Sequence, residues 1–298
     1  MRDVFAAAAA WLEEGQPVAF ATLCELRAAK TAPIGTTIAV TADGRIAGNI
    51  GAGCYESEII ETAQRTLGDG VVRTLDVNLD SDDELSGGTA CGAVMRLLVW
   101  RPEAAFLDDA HAIARGERAV TLQIGTFTHV IPAKETLILV GATTLAADLA
   151  AIGRRMDFNV IVVDPRPAFA TERRVPDAHA IVREWPDDYL PLALSSHTAV
   201  VVLSHDPKFD LPALRCALRS SASYIGLLGS RRAQAARRSA LRAEGFDDAA
   251  LARIHGPVGL DIGGATTSET AISILAEIVA ERSGRRGTSL LSASGAIH

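Results

Sequence analysis

Two cysteines in the N-terminal half each close a glycine-rich stretch. One is Gly48-Asn-Ile-Gly51-Ala-Gly53-Cys54, with Glu56 just beyond it; the other is Gly87-Gly-Thr-Ala-Cys91-Gly92. A helix is expected from about Glu56, which puts the Cys54 thiol at a helix N-terminus. There the backbone dipole favours thiolate, lowering the pKa and making the sulfur a nucleophile or a ligand for a soft metal. Glycine turns also form for structural reasons alone, so both readings stay open. Cys24 and Cys216 fall in an expected strand and an expected helix and read as core residues. The four cysteines contain no C-x-x-C pair, so no zinc knuckle is written into the chain.

A second set of candidates sits at strand ends in the C-terminal half. Reading along the chain, Gly141 follows one apolar run, Asp164-Pro-Arg166 the next, and Ser204-His205-Asp206 a third. Gly229-Ser230-Arg231 follows a fourth, and Gly259-Leu-Asp261-Ile-Gly-Gly264 precedes the last helix. In parallel α/β sheets, ligands bind at these carboxyl ends. Gly141-Ala-Thr-Thr-Leu-Ala146 keeps the first glycine and final small residue of a dinucleotide loop, but Thr143 replaces the middle glycine. Asp164 stands about 20 residues further on, where a ribose-binding acid belongs. At Gly229-Ser230-Arg231, amides, a helix dipole and a guanidinium converge as a phosphate site would require. Arg237, Arg238 and Arg242 on the same helix read as a solvated basic face. His205-Asp206 reads either as an acid–base pair or as hydrogen-bonded structure.

The elements that must hold these groups change character near Pro132-Ala133-Lys134, the expected boundary between a domain of residues 1–133 and one of 134–282, with a mobile tail over 283–298. Before it, Asp3–Glu14 predicts a helix and Pro17–Leu23 a buried strand. Thr36–Val40 and Arg45–Ile46 form a hairpin on Asp43-Gly44. Further strands are expected at 72–78, 93–100, 119–124 and 128–131, which makes a small α+β domain. After it, TLILV (136–140), NVIVV (159–163), AVVVL (199–203) and YIGLL (224–228) are continuous apolar runs, the mark of strands buried on both faces. They alternate with helices over about 145–156, 211–218, 232–244 and 269–282. Such alternation predicts a Rossmann-like α/β domain with a parallel sheet.

Three stretches together resemble the XdhC/CoxI family of accessory proteins of molybdenum hydroxylases. They are Asp43–Glu56 with its glycine loop and Cys-x-Glu, Ser204–Leu214 continuing into Tyr224–Arg231, and Pro257–Gly263 followed by Glu269 and Ala271–Ile278. The resemblance implies an N-terminal XdhC/CoxI domain before a Rossmann-type domain, in a dimer. It implies no turnover of a metabolite: the protein binds molybdenum cofactor, shields it while a cysteine desulfurase replaces an oxo ligand with sulfide, and passes it to the apo-hydroxylase. That cofactor carries a phosphate, a pterin and an oxygen-sensitive dithiolene. Gly51, Gly53, Cys54, Glu56, Cys91, Gly141, Asp164, Arg166, His205, Asp206, Gly229, Ser230, Arg231 and Asp261 become its expected contacts, with Cys54 as the molybdenum-facing thiol. The chain departs from the family at Lys30-Thr-Ala-Pro33, Ala52, Ala93, Thr143 and Thr144. The alternative is an NAD(P)-dependent oxidoreductase resting on Asp164 and the strand-end loops.

Composition bounds these readings. With 298 residues, 48% of them hydrophobic, the chain can fill two cores; its formal net charge of -7 argues against a general nucleic-acid binder. No apolar run approaches the roughly 20 residues that span a bilayer. Without a secretion signal, the expected compartment is the cytoplasm.

Overall fold

The computed structural model describes residues 1–27, 32–50, 55–78, 94–103 and 105–292. The chain divides into two units, Met1–Ala133 and a second beginning at Lys134.

In the first unit, α1 (Arg2–Glu13) precedes β1 (Val18–Arg27), β2 (Thr37–Thr41) and β3 (Ile46–Ala47); α2 (Glu56–Asp69), β4 (Arg73–Asn78), β5 (Val94–Trp100) and α3 (Phe106–Arg115) follow. The strands make an antiparallel sheet in the order β3-β2-β1-β5-β4, and β6 (Val120–Ile124) with β7 (Phe127–Ile131) forms a separate hairpin. The two-residue period of β1 sorts its side chains between two cores. Val18 and Phe20 join α1 and α3 around Trp100 and Phe106. Ala19, Ala21 and Leu23 face α2 at Ile59, Ala63 and Leu67. Thr22, buried on the first of these faces, accepts from the Trp100 indole N–H at 3.1 Å. The Asp43-Gly44 turn joins β2 to β3 as expected, with Gly44 at φ +84°.

The second unit runs β8 (Thr136–Val140), α4 (Thr144–Arg155), β9 (Asn159–Val163), β10 (Ala180–Val182), α5 (Pro186–Ala193), β11 (Thr198–Val202), α6 (Pro207–Arg219), β12 (Tyr224–Leu227), α7 (Arg231–Ala243), α8 (Asp248–Ala252), β13 (Ile254–His255) and α9 (Thr267–Arg282). Its six strands are parallel in the order β10-β9-β8-β11-β12-β13. Numbered within the unit this is 3-2-1-4-5-6, the order of dinucleotide-binding domains, and the direction of winding reverses between β8 and β11. Leu137, Leu139, Val160, Val162 and Val201 pack under α4 and α9. Ile138, Val140, Val200 and Val202 pack under α5, α6 and α7. That double burial is why these strands are apolar after their first residue. Between β9 and β10, residues 164–179 form turns in place of the helix usual at this crossover. Helix α6 begins four residues before its expected start, because Asp206 caps it and Pro207 fits its first turn.

Candidate functional site

At the winding reversal, Gly141 has φ +109°, and a Cβ there would lie 3.4 Å from the Ser204 amide nitrogen. It is the left-handed backbone, more than the space, that calls for glycine here. Thr143, in place of the second glycine of a dinucleotide loop, caps α4 by accepting from the Ala146 amide at 3.2 Å. A dinucleotide loop carries glycine at this position so that the backbone can approach a pyrophosphate. Asp164 at the end of β9 is 1% exposed. It accepts from the Ala142 amide at 2.8 Å, the Arg166 amide at 3.0 Å, Arg166 Nε at 2.9 Å and Arg166 Nη2 at 2.7 Å. Burial alone would raise its pKa, but the Arg166 guanidinium and these amides hold it below the usual carboxylate range. A carboxylate offers about four acceptor positions, so none is left for a ribose diol.

Sequence reasoning missed the aromatic side chains around Arg166. Its guanidinium carbon lies 4.3 Å from the Phe169 ring centroid and 5.0 Å from that of Phe209. Phe209 stacks on Trp185 with centroids 5.1 Å apart, and Arg174 lies 5.0 Å from the Phe169 centroid. Phe209 is buried, whereas Trp185 is 45% and Phe169 38% exposed. The available signal was a positional one: Phe169, Trp185 and Phe209 all come shortly after the ends of β9, β10 and β11.

His205 is exposed and follows β11, while Asp206 is spent on capping, accepting from the Lys208 amide at 3.0 Å. No hydrogen bond joins the two side chains as an acid–base pair. Behind them Asp210 is fully buried and receives Arg237 Nε at 2.7 Å and Arg237 Nη2, both on Oδ2. Burial pushes the Asp210 carboxyl pKa up against the pull of Arg237 and, more weakly, Ser204, and Oδ1 receives no well-formed hydrogen bond. Arg237 is thus no part of a solvated face. Arg238 is also committed, donating to the Leu251 and Ile254 carbonyls at 2.7 Å each. Only Arg242 of the three stays at the surface, paired with Asp248. Gly229 has φ +130°, and Ser230 caps α7 by accepting from the Ala233 amide at 3.3 Å. Arg231 and Arg232 are exposed at that helix start, with no partner among the described residues.

At the last strand end, Gly259 donates its amide to Glu277 Oε2 at 2.8 Å, and Tyr224 donates its hydroxyl to the same oxygen. His255 stacks on Tyr224 at 4.6 Å. This cluster anchors the loop that carries Asp261, which is itself exposed. Burial would raise the Glu277 pKa, but His255, 3.8 Å from its other oxygen, and then the hydrogen bonds from Tyr224 and Gly259 hold it below the ordinary carboxylate range.

In the first unit, Gly51, Gly53, Cys54 and Cys91 lie outside the described residues. Glu56 opens α2, whose N-cap Tyr55 makes no side-chain cap. A largely apolar pocket lies here, lined by Ile38, Ile46, Ile59 and Leu97 with Asn49 and Glu56 at its polar side. Ile50 and Tyr55, which bracket residues 51–54, line it as well, as do Val77 and Met95 near the ends of the segment 79–93. Of the described thiols, Cys24 donates to the Arg96 carbonyl at 3.3 Å, and burial raises the pKa of both Cys24 and Cys216. Both are partly buried rather than core residues. Among the described residues no cluster of three metal-ligating side chains occurs, and no helix is long and apolar enough to cross a membrane.

Two family models match the chain: the XdhC and CoxI family over residues 11–78, and the XdhC Rossmann domain over residues 137–278. The chain is 24% identical over 323 residues to a probable xanthine dehydrogenase subunit of Bacillus subtilis, covering 92% of this chain and 96% of that protein. It is 23% identical over 291 residues to the molybdenum cofactor insertion chaperone PaoD of Escherichia coli, covering 91% and 85%. A crystal structure of a xanthine dehydrogenase from Bacillus halodurans has the same fold, with a TM-score of 0.78 at 23% identity over 97% of this chain and 98% of that one.

Proposed function

The chain belongs to the XdhC and CoxI family, and from that premise we propose that it is an accessory protein in the maturation of a molybdenum hydroxylase, holding molybdenum cofactor for delivery to the apo-enzyme. The observation that carries this reading is similarity through both units at once to a relative named as a molybdenum cofactor insertion chaperone. When bound, the cofactor supplies a metal on a dithiolene, a pterin ring and a phosphate.

The residues present fit such a group. The glycine-rich run ending in Cys54 precedes α2 in the chain, and a thiol at a helix N-terminus is favoured as thiolate. In this reading Cys54 faces the metal, with Gly51, Gly53, Glu56 and Cys91 around it. Ser230, Arg231 and Arg232 supply unpaired donors for an anion. In the finer form of the proposal, a cysteine desulfurase delivers sulfide while the cofactor is held, and the chain works as a cytoplasmic homodimer. The NAD(P) alternative is weaker, since Asp164 has no acceptor position left for ribose.

Anaerobic purification followed by mass spectrometry of the bound pterin tests the proposal. The expected result is close to one cofactor per chain, with Cys54→Ala retaining much less. A wild-type protein that retains no pterin, and whose loss leaves hydroxylase activity unchanged, overturns it.

A further inference from the structure

The most unusual surface of the second unit is the run of alternating rings and guanidinium groups at the carboxyl ends of β9, β10 and β11. Trp185 stacks on Phe209, Phe209 faces Arg166, Arg166 faces Phe169, and Phe169 faces Arg174. Arg166 cannot wander, because buried Asp164 takes its Nε and Nη2 in a two-point grip that fixes the guanidinium plane. The same carboxylate holds the Ala142 amide, so the platform is tied to the glycine turn at the winding reversal. Trp185 has Phe209 on one side, yet 45% of it is open to solvent. The unpaired Lys208 adjoins Phe209 in the chain, and the exposed Arg174 ends the run beyond Phe169.

We infer that this platform is a stacking site for a fused nitrogen heterocycle, a purine or a pterin, that carries an anionic group. Flat π-systems stack on aromatic and guanidinium planes without needing hydrogen-bond readout, and the exposed Arg174 at the end of the run offers a cation to an anionic tail. It lies at the end of the sheet where this fold seats the ring of a nucleotide. Only the identity of the ring rests on the cofactor reading above; the site itself does not.

Equilibrium dialysis of the full chain against 6-carboxypterin, GMP and ribose 5-phosphate is the test. One or both ring compounds are expected to bind, and ribose 5-phosphate to bind far more weakly. Trp185→Ala should weaken the ring compound by roughly 5- to 100-fold, while Trp185→Phe, which keeps a stacking face, stays within a few-fold of wild type. Preference for GMP over 6-carboxypterin assigns a purine, and the reverse a pterin. Failure of both ring compounds to bind, or equal binding to wild type and Trp185→Ala, overturns the inference. Retention of molybdenum cofactor by wild type and Trp185→Ala alike, with neither ring compound bound, would remove this site and leave the cofactor reading standing. Ring binding lost in Trp185→Ala, with no cofactor retained by wild type, would do the opposite.

Discussion

Two aspartate–arginine pairs lie at the same edge of the parallel sheet, made of the same groups and placed in opposite surroundings. Asp164 is buried but all its acceptor positions are filled, and its partner Arg166 is 39% exposed. Asp210 is fully buried, its partner Arg237 is 8% exposed, and one carboxylate oxygen receives no well-formed hydrogen bond. The first pair spends a buried charge to aim a guanidinium outward between two rings. The second pins α6 to α7 and presents nothing to solvent. Desolvation is the largest influence on both carboxylates. At Asp164 the Arg166 guanidinium and the backbone amides outweigh it and the pKa falls, whereas the deeper burial of Asp210 outweighs Arg237 and the pKa rises.

The comparison breaks if the two pairs respond alike to substitution. Asp210→Ala leaves Arg237 buried and uncompensated, so the second unit should lose about 3–5 kcal/mol in urea denaturation. Asp210→Leu combined with Arg237→Met should recover most of that loss, since a packed apolar pair of similar volume avoids the desolvation cost. Asp164→Asn should cost less, about 1–2 kcal/mol, because the released Arg166 can be hydrated. A larger loss for Asp164→Asn than for Asp210→Ala would refute the assignment of roles.

The pH dependence sharpens the contrast. The folded pKa of Asp164 lies below the unfolded value of about 3.9. Its stabilisation is therefore complete above that pH and disappears as pH falls through the folded pKa. The gap between wild type and Asp164→Asn should close in strongly acid solution. The folded pKa of Asp210 is raised, so ionisation costs stability at neutral pH and that cost is relieved on acidification. Wild type should accordingly gain stability relative to Asp210→Asn as pH falls, until the protonated carboxyl and the amide behave alike. Urea midpoints measured from neutral to strongly acid pH read both trends.

Much of the second unit was legible because burial on both faces forces continuous apolar strands. TLILV, NVIVV and AVVVL correspond to β8, β9 and β11 within a residue. The strand-end rule located Gly141, Asp164, Ser204 and Gly229 just past the ends of β8, β9, β11 and β12. What it could not deliver was the partner of each polar group. Arg237 sits on a helix with the composition of a solvated face, and only Asp210, reaching over from α6, shows that it is interior. The ring platform was hidden for the same reason: Phe169, Trp185 and Phe209 have no periodic relation, and the β9–β10 crossover that presents Phe169 lacks a helix that a pattern could reveal. In the first unit the glycine loop was legible as a motif, but Gly51, Gly53, Cys54 and Cys91 fall outside the described residues.

The smallest predicted effect tests the Asp164 side of the comparison most directly. Thr143→Gly restores the middle glycine of a dinucleotide loop and removes only a hydroxyl cap on α4. Replacing an N-cap threonine by glycine costs a few tenths of a kcal/mol. If the missing glycine were the sole obstacle to NAD(H), the variant would gain thermal stabilisation from millimolar dinucleotide by mass action. The geometry forecasts no gain, because the ribose acceptor is still engaged by Arg166 and the Ala142 amide. A dinucleotide-dependent rise in Tm in Thr143→Gly would mean that Asp164 releases Arg166 readily, and the pair would then be a gate instead of a fixed support. Absence of that rise, together with ring binding that depends on Trp185, would leave the saturated carboxylate as the feature that separates this sheet edge from a dinucleotide site.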